Sequence, residues 1–214
     1  LLSLLCVAVG AAAQNPMRLQ VGETEVSVEF YTSSIVRVTK HPVGSTFAGG
    51  NLVVTAQPEA VEVSRNGSTF SSKTLMVKVD PKTGAITFSA KGKVLLREKK
   101  LALTPITTGN DAGRYQVQQV FTLDKDEAIY GLGTIQNGKM NRRGEHKRME
   151  QSNLEDFQNV LQSIKGWGLY WDNYSPTQFD DDANGMSFTT EVGEGVDYYF
   201  MYGLADRKSG LAGM

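Results

Sequence analysis

The chain has 214 residues, of which 22 are lysine or arginine and 23 are aspartate or glutamate, so its formal net charge is −1. A balance this close to neutral gives no reason to expect nucleic acid or another polyanion as a partner. The length is sufficient to bury the core of one domain. The 22 glycines are spread between short apolar runs, which excludes a low-complexity sequence.

The first thirteen residues are typical of a secretory signal peptide that lacks its basic end. Residues 1–10 are apolar, Ala11-Ala-Ala13 supplies small residues for cleavage, and the sequence turns polar at Gln14. The run is too short to cross a membrane, so an integral membrane protein is not predicted. A buried N-terminal helix and a lipid anchor at Cys6 are the alternatives. Because Cys6 is the only cysteine, the mature chain would lack disulfides, which favours a bacterial periplasmic or cell-surface protein.

Short runs of alternating apolar and polar residues dominate the chain after residue 20. Residues 25–31 and 34–39 alternate in this way and are separated by Thr32-Ser33, which predicts a hairpin. Asp80-Pro-Lys-Thr-Gly84 predicts a turn between two strands, and Asp180–Gly185 predicts an acidic turn. The sequence therefore predicts an all-β protein folded as an antiparallel β-sandwich. The further predicted strands are residues 61–63, 74–79, 85–88, 93–98, 114–123, 128–131, 160–163, 168–173, 186–191 and 195–202.

One segment has helical spacing and conflicts with this scheme. Leu154, Phe157, Leu161 and Ile164 recur at helical intervals, and Ser152 precedes Glu155 as in a capping box. The segment is short and lies between predicted strands, so we expect a strand from residue 160. A single helical turn over residues 154–157 is compatible with that expectation.

Three motifs between residues 128 and 174 carry a family resemblance. They are Tyr130-Gly-Leu-Gly133, Met140-Asn-Arg-Arg-Gly144 and Lys165-Gly-Trp-Gly-Leu-Tyr-Trp-Asp-Asn173. In order and spacing they resemble the N-terminal β-sandwich domain of glycoside hydrolase family 31, which is galactose-mutarotase-like. The sequence Glu150-Gln-Ser-Asn153 resembles the α-xylosidase branch of that family. The resemblance implies a sandwich over residues 14–204 and a linker over residues 205–214 that leads to a (β/α)₈ barrel outside this chain.

The resemblance also implies an activity for the intact protein. Members of that family are retaining exo-glycosidases that need no cofactor, and they hydrolyse terminal α-linked glucose or xylose from oligosaccharides. Their two catalytic aspartates lie on the barrel, so no catalytic residue is expected in this chain. The alternative is a stand-alone carbohydrate-binding or structural sandwich. A sugar mutarotase would need paired histidines, and His41 and His146 lie in dissimilar segments.

The resemblance implies one substrate-binding loop. Family members contribute an acidic residue from this domain to the sugar pocket, and Asp156 is the first candidate for that role. Glu155 or Asn153 could fill the position instead, because the local spacing differs from the commoner family pattern. A carboxylate suits the role because it accepts two hydrogen bonds from vicinal hydroxyls. A solvated loop acid is the alternative interpretation.

Aromatic and charged residues near this loop allow further interpretations. Trp167 lies between glycines at the predicted hairpin end, so we expect it to be exposed and able to stack on a sugar, whereas Tyr170 and Trp171 are better explained as core or interface residues. Arg142 and Arg143 are expected to pair with Glu145, Glu150 or the barrel. No metal site is predicted, because His146 is isolated and the acids at 180–182 lack a calcium-loop spacing.

Overall fold

A computed structural model describes residues 16–45, 47–48 and 52–203 of the chain. In these residues sixteen strands and no helix are present. Consequently, nothing in the described part provides a helix able to cross a membrane. The predicted signal segment at 1–13 and the predicted linker at 205–214 lie outside the described residues.

In chain order the strands are β1 (Met17–Val21), β2 (Thr24–Phe30), β3 (Ile35–Pro42), β4 (Ser64–Asn66), β5 (Thr69–Ser71), β6 (Met76–Val79), β7 (Ile86–Ala90), β8 (Lys93–Pro105), β9 (Tyr115–Thr122), β10 (Ile129–Gly131), β11 (His146–Met149), β12 (Val160–Ser163), β13 (Trp167–Trp171), β14 (Thr177–Asp182), β15 (Gly185–Gly193) and β16 (Val196–Tyr202).

The strands form two antiparallel sheets, which confirms the predicted sandwich. One sheet has seven strands in the order β1-β2-β3-β16-β13-β12-β10, and the other has nine in the order β11-β14-β15-β9-β8-β7-β6-β5-β4. The hairpin predicted around Thr32-Ser33 is confirmed, with Val28 opposite Val38 in β2 and β3. The hairpin of β12 and β13 is confirmed as well, with Leu161 opposite Leu169. Local alternation and turn chemistry therefore predict the hairpins correctly.

The core lies between the two sheets and is rich in stacked aromatic rings. Phe88 of the nine-stranded sheet stacks on Phe200 of the seven-stranded sheet, with ring centroids 4.0 Å apart. Trp171 stacks on Phe188 across the same space, with centroids 5.2 Å apart. Each such ring buries a large apolar area, so these pairs account for much of the attraction between the sheets.

The strand β16 is buried on both faces, as its nearly continuous aromatic sequence predicts. Asp197 and Tyr199 point away from the inter-sheet core but are covered on the outer face. The Arg37 guanidinium donates to Asp197, with 2.9 Å between Nε and Oδ1. The rings of Tyr31 and Tyr170 pack on Tyr199 at centroid distances of 5.2 and 5.9 Å. Neighbouring strands thus close over the outer face of β16.

Several strands differ from the prediction. Residues 61–63 do not form a strand, and the adjacent hairpin is β4–β5 instead, turning at Gly67 with φ of +59°. Asn66-Gly67 is a strong hairpin signal. The flanking residues are mostly polar, so they do not show the apolar alternation from which strands are predicted. The strand β8 extends to Pro105, well beyond the predicted end at residue 98. The strands β1 and β11 were not predicted, because only one end residue of each is buried.

The predicted acidic turn at 180–185 is wrong for its first three residues. Asp180, Asp181 and Asp182 belong to β14, and the turn to β15 contains Asn184. Asp181 is only 5% exposed because its Oδ2 accepts from Arg143 Nε and from the Gly144 amide, both at 2.8 Å. A partner almost forty residues away allows a strand where the local sequence favours a turn.

The helical spacing near residue 154 does not produce a helix within the described residues. The amides of Leu154 and Glu155 both lie 3.4 Å from Ser152 Oγ, so the serine closes a tight bend. The expected strand from Val160 is confirmed. Ser152 therefore makes the bonds of a helix cap without a helix following it.

A buried ion pair links the two sheets. Lys40 of β3 donates to Glu98 of β8 and to the Gly84 carbonyl oxygen, the latter at 3.0 Å. Glu98 also accepts from the Ile86 amide at 2.6 Å and from the Tyr198 hydroxyl at 2.9 Å. Burial lowers the pKa of Lys40, and the Glu98 carboxylate opposes that effect. Each buried charge is thus compensated by several hydrogen bonds.

Candidate functional site

The candidate site is the loop that connects β11 to β12, residues 150–159. Its middle is tied to the short strand β10 and the segment that follows it. The Thr134 amide donates to the Asp156 carbonyl oxygen at 2.7 Å, and the Leu132 amide donates to the Val160 carbonyl oxygen at 2.9 Å. Between them lies Gly133, where any Cβ atom would collide with the Asp156 carbonyl oxygen. The loop is therefore held by backbone contacts and has a defined shape.

Gln151 fixes the loop from its other side. Its Oε1 accepts from the Phe157 amide at 2.9 Å, and its Nε2 donates to the Phe157 carbonyl oxygen at 3.1 Å. The same Nε2 lies 3.0 Å from Asp156 Oδ1. Gln151 lies in the Glu150–Asn153 sequence that carries the family resemblance, but its role in holding Asp156 was not anticipated. In the sequence, only its place in that motif singles out Gln151.

The two adjacent acids of the loop have different environments. Glu155 Oε2 lies 2.6 Å from Lys147 Nζ, and the hydrogen bond from that ammonium lowers the pKa of Glu155. Asp156 is exposed and receives its hydrogen bond from the neutral amide of Gln151. Asn153 is exposed as well. Of the two acids, Asp156 is therefore the one whose carboxylate has no cationic partner among residues 16–45, 47–48 and 52–203.

A cleft of about 690 Å³ lies beside this loop. Its walls include Phe157, Asn159, Tyr170 and Tyr174, which combine aromatic rings with a side-chain amide. Asn159 Nδ2 donates to the Asn173 carbonyl oxygen at 2.8 Å, which joins the loop to the end of β13. Such a lining matches the apolar face and the hydroxyl groups of a pyranose.

Tyr170 and Tyr174 give the cleft an ordered wall. The Tyr170 hydroxyl lies 3.0 Å from Asp172 Oδ1, and burial together with that carboxylate raises the pKa of Tyr170. Tyr174 is 55% exposed, and its hydroxyl accepts from the Leu52 amide at 2.8 Å. Tyr170 thus stays neutral, and the ring of Tyr174 is partly exposed at the cleft.

The expectation that Trp167 is exposed is wrong. Its side chain is 0% exposed and packs in the core beside Phe200. Its Nε1 donates to Glu127 Oε1 at 2.8 Å, and the Ser163 hydroxyl donates to the same oxygen. A buried carboxylate forty residues away turns the indole inward, so Trp167 offers no face to a sugar. The interpretation of Trp171 as a core residue is confirmed, since it is also 0% exposed.

The basic residues before the loop are held by structural ion pairs. Arg142 pairs with Glu145, as predicted, with 3.7 Å between Nη1 and Oε2. Arg143 pairs with Asp181, whereas Glu150 pairs with Arg148. These arginines therefore hold β11, β14 and the preceding turn together.

No group of three or more histidine, cysteine or acidic side chains within the described part of the chain is arranged to hold a metal ion. The isolated His146 instead lies 2.9 Å from the Asp180 carboxylate, measured from its Nδ1.

Known proteins share this fold and this sequence pattern. The α-xylosidase of Saccharolobus solfataricus is 28% identical over 205 residues, which cover 86% of this chain and 27% of that protein. The chain thus spans about a quarter of the length of this curated relative.

Two solved structures extend the comparison. A GH31 α-xylosidase from a soil metagenome, complexed with xylose, superposes with a TM-score of 0.78 at 20% identity, covering 89% of this chain and 32% of that one. The GH31 α-xylosidase from Xanthomonas citri gives a TM-score of 0.71 at 26% identity, covering 79% of this chain and 19% of that one. The likeness to the metagenomic enzyme shows the fold alone. Residues 25–180 match the family described as the glycosyl hydrolase 31 N-terminal galactose mutarotase-like domain, and because this match covers most of the chain, the protein belongs to that family.

Proposed function

We propose that this chain is the N-terminal part of a retaining α-glycosidase that removes terminal α-linked xylose or glucose from oligosaccharides. The observation that carries the proposal is the family match over residues 25–180. The 28% identity to an α-xylosidase over 205 residues supports xylose as the preferred sugar. Because the chain spans 27% of that relative, the catalytic carboxyls are expected on a barrel outside the chain.

Within the intact enzyme the domain has two proposed roles. It supports the barrel, and it lends the loop at 150–159 to the rim of the substrate pocket. A retaining mechanism needs two carboxyls about 5 Å apart, and we assign neither of them to this chain. Asp156 instead binds sugar hydroxyls, since its exposed carboxylate can accept two hydrogen bonds. Asn153 is the second candidate, because it is also exposed, whereas Glu155 is already paired with Lys147.

A second candidate function is favoured by the cleft beside the loop. Its tyrosine and amide lining would suit a carbohydrate-binding sandwich without catalytic activity. In that case the chain alone would bind xylose or glucose at Tyr174. The first proposal predicts that productive sugar binding depends on the barrel.

We also propose that the protein is exported to a bacterial periplasm or cell surface. The support is the apolar sequence of residues 1–10, followed by Ala11-Ala-Ala13 and a polar switch. The single cysteine lies within that segment, so the exported domain would not depend on disulfides.

The activity is tested with the full-length protein and aryl α-xyloside or aryl α-glucoside. We expect hydrolysis of at least one substrate, with the α-anomer of the free sugar appearing first in the proton NMR spectrum. The α-anomer appears first because a covalent intermediate inverts the anomeric carbon twice. First appearance of the β-anomer, or no hydrolysis of either substrate, would contradict the proposal.

A further inference from the structure

Three Asn-Gly pairs occur in the chain, Asn66-Gly67, Asn137-Gly138 and Asn184-Gly185. An asparagine in such a pair is chemically labile, because the main-chain nitrogen of the next residue can attack the side-chain amide carbon. A glycine has no Cβ to obstruct that attack. The dipeptide sequence alone gives the three pairs the same reactivity, but the structure places them in three different environments.

The side chain of Asn137 is fixed by its neighbours. Its Nδ2 donates to Glu145 Oε2 at 2.8 Å, and its Oδ1 accepts from the Lys139 amide and from Arg142 Nη1 at 3.1 and 3.2 Å. Glu145 and Arg142 are themselves buried. Turning the amide carbon of Asn137 toward the Gly138 nitrogen therefore breaks three hydrogen bonds.

The pair Asn184-Gly185 is held by its main chain. The Asn184 amide donates to Asp182 Oδ1 at 2.6 Å, in the turn between β14 and β15. Gly185 begins β15, and a Cβ atom added there would collide with the Phe121 carbonyl oxygen of the neighbouring strand β9. The ladder between β14 and β15 continues for six residue pairs. Rotating the peptide between residues 184 and 185 therefore requires an inner strand of the sheet to move.

Asn66 has neither kind of restraint. It is exposed at the end of β4, and Gly67 follows in the turn with φ of +59° and open space around it. In the part of the chain that the structure describes, neither the Asn66 side chain nor the Gly67 amide has a hydrogen-bond partner; the Gly67 carbonyl oxygen accepts from Arg65 Nε at 3.0 Å. Strand β4 has three residues and is the last strand of its sheet, so opening this hairpin costs less than opening an inner strand.

We propose that Asn66-Gly67 is a deamidation site, at which residue 66 is converted to aspartate or isoaspartate and the β4–β5 hairpin is opened. The Gly67 nitrogen loses its proton to hydroxide and bonds to Asn66 Cγ, and the Cγ–Nδ2 bond breaks to release ammonia. Water then opens the cyclic imide at either carbonyl carbon. The net reaction consumes water and releases ammonia, without oxidation or reduction.

The isoaspartate product changes the hairpin because it carries the main chain through the former side chain. The added methylene group is incompatible with the register that places Asn66 opposite Thr69 across a two-residue turn. The reaction does not involve the loop at 150–159, so the site is independent of the proposed glycosidase activity.

The test follows the asparagines by peptide mass mapping of the full-length protein, incubated in its folded state at mildly alkaline pH. We expect conversion at Asn66 to be at least about tenfold faster than at Asn137 or Asn184, because the structure around those two must open first. Asn153 is the internal control: it is exposed, but the side chain of Leu154 hinders attack, so it should remain unconverted. Equal rates at the three pairs, or an Asn66 as stable as Asn153, would overturn the proposal.

Unfolding separates the effect of structure from the effect of sequence. In guanidinium the turns and the hydrogen bonds of Asn137 are lost, so the three pairs should deamidate at similar rates. If Asn66 keeps the same advantage in guanidinium, the residues flanking each pair decide the rates, and the structural basis of the proposal is wrong.

Hydrogen exchange and one variant test the opening of the hairpin. After chromatographic separation, the isoaspartate form should exchange its amides faster than the unconverted protein across residues 64–71, with residues 86–90 unchanged. Asn66→Gln keeps a side-chain amide but requires a larger ring for the same attack, so after equal incubation it should show neither the mass change nor faster exchange. Equal exchange by the isoaspartate form and the unconverted protein would contradict the opening of the hairpin.

Discussion

Two neighbouring acids of one loop have different contacts. Glu155 is held by the Lys147 ammonium at 2.6 Å, and its lowered pKa reflects that pairing. Asp156 is exposed and is oriented by the amide of Gln151. A carboxylate that is oriented without being neutralised can still bind a sugar hydroxyl. The first contact therefore stabilises the loop, and the second orients Asp156, which is consistent with the proposed contact of Asp156 with substrate.

For the proposed glycosidase activity of the full-length protein, this difference predicts unequal effects of removing the two acids. Asp156→Ala should lower kcat/KM by about ten- to a hundredfold, because a charged hydrogen bond contributes about 1.5–3 kcal/mol. Glu155→Ala removes a partly exposed ion pair and should change kcat/KM little. Steady-state kinetics with an aryl α-glycoside measure both values, and thermal melts verify the fold. A large effect of Glu155→Ala with a small effect of Asp156→Ala would show that Glu155, and not Asp156, contacts the substrate.

The sequence locates this loop but does not distinguish its residues. The family resemblance of the motifs on both sides predicts that Asp156, or Glu155 or Asn153 in its place, contacts the sugar. Which acid is free depends on Lys147 and Gln151, whose positions become clear only after β11 pairs with β14. The environment of Trp167 likewise depends on a residue distant in the sequence. Its neighbouring glycines indicate an exposed hairpin end, whereas the bond from its indole to Glu127 places it in the core.

At the scale of the element, the loop depends on a close approach to the end of β10. Gly133 has φ of +79°, and a Cβ there would collide with the backbone of residues 156–158. Gly138 has a similar φ of +72° but has open space around it. Comparing substitutions at the two glycines therefore separates the free-energy cost of a positive φ from the free-energy cost of a steric collision.

Alanine substitution at these glycines should therefore give unequal losses of stability. Gly138→Ala should cost about 1–2 kcal/mol, the usual penalty of a left-handed conformation for an L-residue. Gly133→Ala should cost at least about 2 kcal/mol more, because backbone atoms must also move. Urea unfolding of both variants measures the difference. Equal losses would show that the loop is not packed against Gly133.

Elements with local signals are predictable from the sequence, and elements with distant partners are not. The hairpins β2–β3, β6–β7 and β12–β13 follow from alternation and turn residues that are adjacent in the chain. The strands β11 and β14 consist largely of charged and polar residues. They form because Arg143 and His146 meet Asp181 and Asp180 across about 35 residues of sequence. The residue pattern within either strand alone does not predict these ion pairs.

At the scale of the whole molecule, a buried ion pair fixes how the two sheets face each other. The side chains of Lys40 and Glu98 are 2% and 0% exposed and belong to different sheets. Breaking a buried pair by removing one partner is strongly destabilising, because the other charge remains without compensation. The pair therefore penalises any arrangement of the sheets that separates the two residues.

Lys40→Met should lower the free energy of unfolding by about 3–5 kcal/mol. Adding Glu98→Gln should recover more than half of that loss, since a neutral amide needs no cation while its oxygen still accepts from Tyr198. Guanidinium unfolding of the single and double variants measures both values. If the double variant is less stable than Lys40→Met alone, the loss does not come from an uncompensated carboxylate.

We propose that this chain supports a glycosidase and does not itself perform the hydrolysis. The most direct test compares the chain from residue 14 to residue 214 with the full-length protein, at equal concentration, on aryl α-xyloside and aryl α-glucoside. We expect turnover by the full-length protein and none above a buffer control by the shorter chain, because the catalytic carboxyls are expected on the barrel. Turnover by the shorter chain that saturates with substrate would show that this chain performs the hydrolysis itself.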